Sequence, residues 1–184
     1  KMNQKSSPIF YITKSAVIAA AYAALTYLAA IVNLAYGPVQ FRFSEALTIL
    51  PAFTSSAIPG LTIGCFLSNI ISGYGVYDMV FGTLATFLAA VLTRLLRNVR
   101  FHDVPVLAPL PPVIVNALMV GLEITVVANG KLDMAALHHF NWILFWTNAA
   151  SVGLGELVVC CVLGLPLAVM IEKNKSLKSI LQDT

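Results

Sequence analysis

The chain has 184 residues, 59% of them hydrophobic and 10% charged, with a mean hydropathy of +0.86 and a formal net charge of +3. That balance excludes a soluble globular domain and marks an integral membrane protein. Its apolar runs are long and lack strict alternation, so they predict an all-α bundle of six transmembrane helices rather than a barrel, with residues 1–184 used as one domain. No room is left for a soluble catalytic domain, and no Gly-x-x-x-x-Gly-Lys-[Ser/Thr] phosphate loop occurs, so ATP-driven work needs a partner.

The first helix is predicted from about Thr13 to Asn33, uncharged from Ser15 to Val32 and longer than the core of a cleaved leader, so it is expected to remain as a span. Ala16, Ala20 and Ala24 recur every four residues, with Ala19 and Ala23 beside them, a smooth stripe suited either to an internal seam or to an external docking face. Tyr36-Gly37-Pro38 breaks the chain before a second helix, Phe41 to Ser56, which Pro51 kinks. Arg42 and Glu45 stand at the head of a run, Ala46 to Tyr77, with no charged residue, where an ionisable group is costly to keep. Their plain reading is an ion pair anchoring the helix end, and their functional reading is a site.

A third, short helix runs to about Ser72, and Asp78 opens the fourth, Asp78 to Arg97, as a cap on the positive end of the helix dipole. A basic, proline-rich connection leads to helix five, Pro112 to Ala128, which carries Asn116 and Glu123 within its apolar length. Asp133 to Thr147, with Trp142 and Trp146, reads as an outer interfacial helix or capping loop before helix six, Ala149 to Glu172. Cys65, Cys160 and Cys161 read as small core residues. The adjacent His138 and His139 diverge on a helix, no zinc spacing is present, and no hydrolase motif occurs, so neither metal nor cofactor nor enzyme activity is expected.

Under six spans, nine basic residues (Lys1, Lys5, Lys14, Arg94, Arg97, Arg100, Lys173, Lys175 and Lys178) fall on one side, and Arg42 and Lys131 on the other. The positive-inside rule then puts both termini in the cytoplasm of a multi-pass protein of a bacterial plasma membrane. At 1.5 Å per residue, Glu45 lies about one turn below the outer surface and Glu123 and Glu156 roughly 8 to 12 Å in, with Asn69 at a similar level. Three acidic groups, with Asp78 close by and only Arg42 to balance them, call for a cationic or donor-rich ligand. A flat base with adjacent ring N–H and amino donors suits one carboxylate, Glu123 or Glu156, and an amine suits a second; Asn69, Asn116 or Gln40 serves carbonyl and ring-nitrogen edges. The bland reading of Glu123 or Glu156 is a protonated acid bonded across helices.

The segments Val39-Gln-Phe-Arg-Phe-Ser-Glu-Ala-Leu-Thr-Ile-Leu-Pro51, Ile58-Pro-Gly-Leu-Thr-Ile-Gly-Cys65 and Phe81-Gly-Thr-Leu-Ala-Thr86 resemble the QueT family over roughly residues 13 to 172. The resemblance implies the substrate-binding subunit of an energy-coupling factor (ECF) transporter. Such a subunit captures a queuosine precursor, a 7-deazaguanine base such as preQ1, preQ0 or queuine, for import. It also implies partners: a transmembrane coupling protein, docked on Ala16, Ala20 and Ala24 with Ala19 and Ala23, and two ATPase subunits. Membrane lipid surrounds the chain, and no nucleic-acid partner is implied. A stand-alone proton-coupled carrier using Glu123 or Glu156 is the competing reading.

Overall fold

A computed structural model describes residues 8–35, 40–72, 75–128 and 140–181, which are almost wholly helical. Four helices are long and apolar enough to cross a membrane: α1 (Pro8–Ile31), Val76–Asn98, Leu110–Ala128 and Trp142–Lys173. The second of these is α3 (Val76–Leu95) tightened to a 3₁₀ turn at its end, and the third is α4. The fourth runs as α5 (Trp142–Val159), a π turn (Cys160–Gly164) and α6 (Leu165–Lys173), followed by the short α7 (Lys175–Leu181). Between α1 and α3 lie a 3₁₀ helix, Phe43–Ala52, and α2, Ala57–Asn69. At 1.5 Å per residue α2 reaches only about 20 Å, short of the ~30 Å hydrocarbon core.

Two expectations change. The second predicted helix is 3₁₀, not α, over ten residues, an unusual length for that form. Pro51 lies inside it and supplies the reason: an α-helix would need an N–H there and would drive the proline ring into the carbonyl four residues back. With three residues per turn, Arg42, Glu45 and Thr48 fall on one side of the segment, and the Thr48 hydroxyl donates to the Glu45 carbonyl at 2.5 Å. The second change is at the last span. Trp142 to Thr147, expected in an interfacial segment, form the first turns of α5, where Asn141 caps the helix by accepting from the Leu144 N–H at 3.0 Å. The π turn lets one helix of 32 residues continue where two elements were expected. Asp133 to His139 lie outside the described residues.

The helices pack in chain order, α1 on α2, α2 on α3, α3 on α4 and α4 on α5, and the 3₁₀ helix fills the middle, touching α1, α2, α3, α5, α6 and the π turn. Close approach of α1 and α2 depends on Gly60 and Gly64, one turn apart. A Cβ at Gly64 would lie 2.8 Å from both the Ala19 carbonyl and the Tyr22 Cβ. Neither neighbour is the end of a flexible chain, so the helices would have to separate. Gly64→Leu is therefore expected to cost about 1–3 kcal/mol, lowering the apparent melting temperature by several degrees, at roughly 2–4 °C per kcal/mol. An unchanged melting curve would show that the seam tolerates a side chain.

The basic residues gather at one end of the bundle. Glu172 of α6 accepts from Arg100 and Lys178, Arg94 donates to the Pro51 carbonyl at 3.2 Å, and Lys14 approaches the Leu181 carbonyl at 3.5 Å. Arg100 also sits over the Phe53 ring. These contacts tie α1, the C-terminal end of the 3₁₀ helix, the 94–103 connection and the C-terminal helices together.

Candidate functional site

At the opposite end, the 3₁₀ helix carries its polar residues into the centre of the bundle. Arg42 precedes it, 5% exposed, and donates from Nε to the Ala35 carbonyl at 3.2 Å, from Nη1 to Asn69 Oδ1 at 3.5 Å and from Nη2 to Asp78 Oδ2 at 3.3 Å. The Asp78 side of that ion pair is 1% exposed. Asn69, at the end of α2, returns its amide N–H to the Asp78 carbonyl at 2.8 Å. Gly82 makes room for this arrangement: a Cβ there would stand 2.6 Å from Asp78 Oδ1 and 2.7 Å from Asn69 Nδ2. Three elements are thus locked through one guanidinium. The Arg42–Glu45 ion pair, the plain reading of those two residues, is not what forms; Asp78 stands in the first turn of α3, as expected, and is also the buried counter-ion of Arg42.

Glu45 turns to α1 instead, where the Tyr22 hydroxyl donates to its Oε1, while Thr26 donates to the neighbouring Ser44 hydroxyl at 2.7 Å. Across the core, Asn116 of α4 donates to Glu156 Oε1 at 3.0 Å, joining α4 to α5. The Cys160 sulfur, at the start of the π turn, lies 3.6 Å from the Glu45 carbonyl, 3.7 Å from the Thr48 hydroxyl and 3.7 Å from Glu156 Oε2. The π turn therefore stitches the 3₁₀ helix to the carboxylate of α5. Gln40 reaches the same wall, since its backbone carbonyl packs where a Cβ on Gly155 would have to go.

All seven predicted ligand residues, Gln40, Arg42, Glu45, Asn69, Asn116, Glu123 and Glu156, are buried. Glu123 feels the charges of Asp78 and Arg42, and Glu156 those of Glu45 and Arg42, so the groups share one electrostatic environment. What separates them is their satisfaction. Among the described residues, both carboxylate oxygens of Glu123, Glu45 Oε2, Asp78 Oδ1, Gln40 Nε2 and Thr83 Oγ1 are buried without a hydrogen-bond partner. Buried polar atoms are ordinarily paired, because desolvation without a partner costs about 1–3 kcal/mol each and more for charged groups. Six such atoms are therefore an unusual concentration among the described residues. Tyr22, Asp78 and Thr83 were not among the predicted site residues; the tyrosine in the middle of an apolar span and the carboxylate of Asp78, already noted as close by, were the available signals.

The alanine stripe divides. Ala16, Ala20 and Ala24 are exposed, Ala23 is half-buried, and Ala19 is 6% exposed where it faces α2. An internal seam and an open face thus coexist on α1. Cys65 and Cys160 are buried as expected, and Cys161 is partly exposed.

The sequence pattern of the QueT transporter family matches residues 12–173, taking in the 3₁₀ helix, every predicted ligand residue and the whole of the last span up to Lys173. The chain belongs to the QueT transporter family. As a QueT-family chain with several apolar helices it is a multi-pass membrane protein. It is 38% identical over 99 residues to the queuosine precursor transporter QueT of Lactococcus lactis subsp. cremoris (strain MG1363), a stretch covering 54% of this chain and 57% of that protein. No solved structure matches it.

Proposed function

We propose that this chain is the substrate-binding membrane subunit of an ECF-type ABC importer, and that it captures a queuosine precursor, a 7-deazaguanine base, from outside. The observation that carries this reading is the layer of buried polar atoms without partners, above all the two oxygens of Glu123. Two adjacent acceptors on one carboxylate match the ring N–H and exocyclic amino group of a guanine-like edge, a bidentate arrangement with strong geometric preference. Gln40 supplies a donor for the ring carbonyl. Arg42 is a structural strut whose donors are engaged by Ala35, Asn69 and Asp78, so it shapes the site more than it contacts the base. The relative's name, a queuosine precursor transporter, supports the same class of substrate.

The nine-to-two division of basic residues supports cytoplasmic termini, with the polar layer in the outer half of the membrane. The open face of α1, Ala16, Ala20 and Ala24, suits docking of a coupling protein, since small side chains allow helices to approach closely. Uptake of a labelled precursor base in cells lacking their own route tests the whole proposal. Uptake should require the coupling protein and both ATPases, and Ala20→Trp should abolish uptake and co-purification while the purified variant still binds the base. Uptake that persists without the ATPases and collapses with a protonophore would identify a stand-alone proton-coupled carrier instead.

A further inference from the structure

One open face of the last span runs toward the basic end of the bundle and takes no part in the polar layer. Cys161, Leu165, Val169 and Lys173 recur every four residues along one side of the π turn and α6, with the exposed Met170 beside them, and they line a groove of about 930 Å³. Pro166 stands in the same wall. It has no N–H to give the carbonyl four residues back, and the wider π turn just before it takes up the broken ladder. The groove ends at Asn174, where the backbone turns extended (φ −96°, ψ 101°) and α7 departs, so that Lys175 lines it from beyond the corner.

That corner is braced. The Asn174 side chain accepts from the Ser176 and Leu177 N–H groups, both at 3.1 Å, Leu177 and Leu181 of α7 pack against the apolar core, and Lys178 pairs with Glu172. Charge is left over here: Glu172 is shared by Arg100 and Lys178, whereas Lys173 and Lys175 have no carboxylate partner among the described residues. The wall belongs to a helix, Trp142–Lys173, long and apolar enough to cross the membrane, so hydrocarbon lies against it and the two lysines come where headgroups begin. From Cys161 to Met170 it is about 14 Å long at about 1.5 Å per residue, close to the ~15 Å of one leaflet's hydrocarbon. A soluble anion would use the lysines and leave the wall unused. A zwitterionic lipid would use the wall but bring an ammonium of its own against the lysines. An anionic phospholipid matches both features.

We propose that this groove binds one anionic phospholipid, with its phosphate between Lys173 and Lys175 and an acyl chain along Cys161, Leu165 and Val169. Native mass spectrometry on the delipidated full chain, titrated with dioleoylphosphatidylglycerol or dioleoylphosphatidylcholine, tests the charge. The rate of Cys161 alkylation by N-ethylmaleimide tests the wall, since Cys65 and Cys160 are buried. Phosphatidylglycerol should be retained, one per chain, roughly tenfold or more tightly than phosphatidylcholine, and it should slow the alkylation. The double variant Lys173→Gln, Lys175→Gln should lose the preference, and Arg97→Gln, at the same end, should keep it. Equal retention of the two lipids, or the same loss in Arg97→Gln, would overturn the site. An unchanged alkylation rate with lipid bound would place the lipid elsewhere and overturn it too. Displacement of the lipid by glycerol 3-phosphate at equal concentration would show a site for a soluble phosphate, against the proposal. Dimers that form without lipid and vanish in the double variant would make the groove an interface between copies, and would likewise overturn it.

Discussion

Replacing Glu123 by Gln is expected to weaken binding of the precursor base by roughly tenfold to over a hundredfold, while the protein still folds and extracts normally. Both oxygens of Glu123 are buried and lack partners within the described residues, so no internal hydrogen bond is lost on substitution. With the ligand bound, however, an amide would present an N–H to one of the base's own N–H donors. A mismatched buried pair of this kind costs about 1–3 kcal/mol or more, and each 1.4 kcal/mol is tenfold in affinity. Glu156→Gln should have a smaller effect, because Asn116 already donates to Glu156 Oε1 at 3.0 Å and an amide oxygen can keep that bond. The binding constants of the two variants decide between these acids. A larger loss at Glu156 would assign the ring-reading role to α5 rather than α4.

Arg42→Met should be the most damaging single change to the fold. Its guanidinium joins the Ala35 carbonyl, Asn69 and Asp78, and removing it leaves the Asp78 carboxylate, 1% exposed, without its cation. Breaking a buried pair from one side costs about 3–5 kcal/mol, whereas replacing both members by apolar residues of similar volume is often neutral. Arg42→Met alone is thus expected to abolish recovery of folded protein, and the double variant Arg42→Met, Asp78→Leu to restore much of it. Yield and melting temperature in detergent measure both. A stable single variant would mean that Asp78 finds another partner.

Much of this arrangement was legible in the sequence. The long apolar runs marked a helical membrane chain because burial in lipid leaves a compositional trace, though against six predicted spans four described helices are long and apolar enough to cross. Glu45, Glu123 and Glu156 stood out because charge is rare inside such runs. Their depth was an expectation of a different kind, counted at about 1.5 Å per residue from the predicted helix ends. The 3₁₀ helix was not legible: Pro51 signals a disturbed helix, but whether the chain kinks or tightens depends on what surrounds it, here the π turn and the neighbouring helices. Asp78 was read as a cap because its position in the first turn of a helix has a sufficient local explanation. Its pairing with Arg42 spans 36 residues and required the fold. The same holds for Trp142 to Thr147, whose indoles suit an interface equally well at the end of a long helix. Gly60 and Gly64 were not singled out in the sequence, because the packing of α1 on α2 emerges only when Ala19 and Tyr22 are seen against them.

The central claim is that the unpaired buried carboxylates receive the base, and ligand-induced infrared difference spectroscopy tests it most directly. On adding a 7-deazaguanine precursor base to the purified protein, carboxylate stretching bands should shift as the orphaned oxygens gain N–H donors, and in Glu123→Gln the part of that signal due to its carboxylate should disappear. A difference spectrum with no change in the carboxylate region, recorded under conditions where calorimetry shows the base bound, would place the ligand elsewhere and contradict the account.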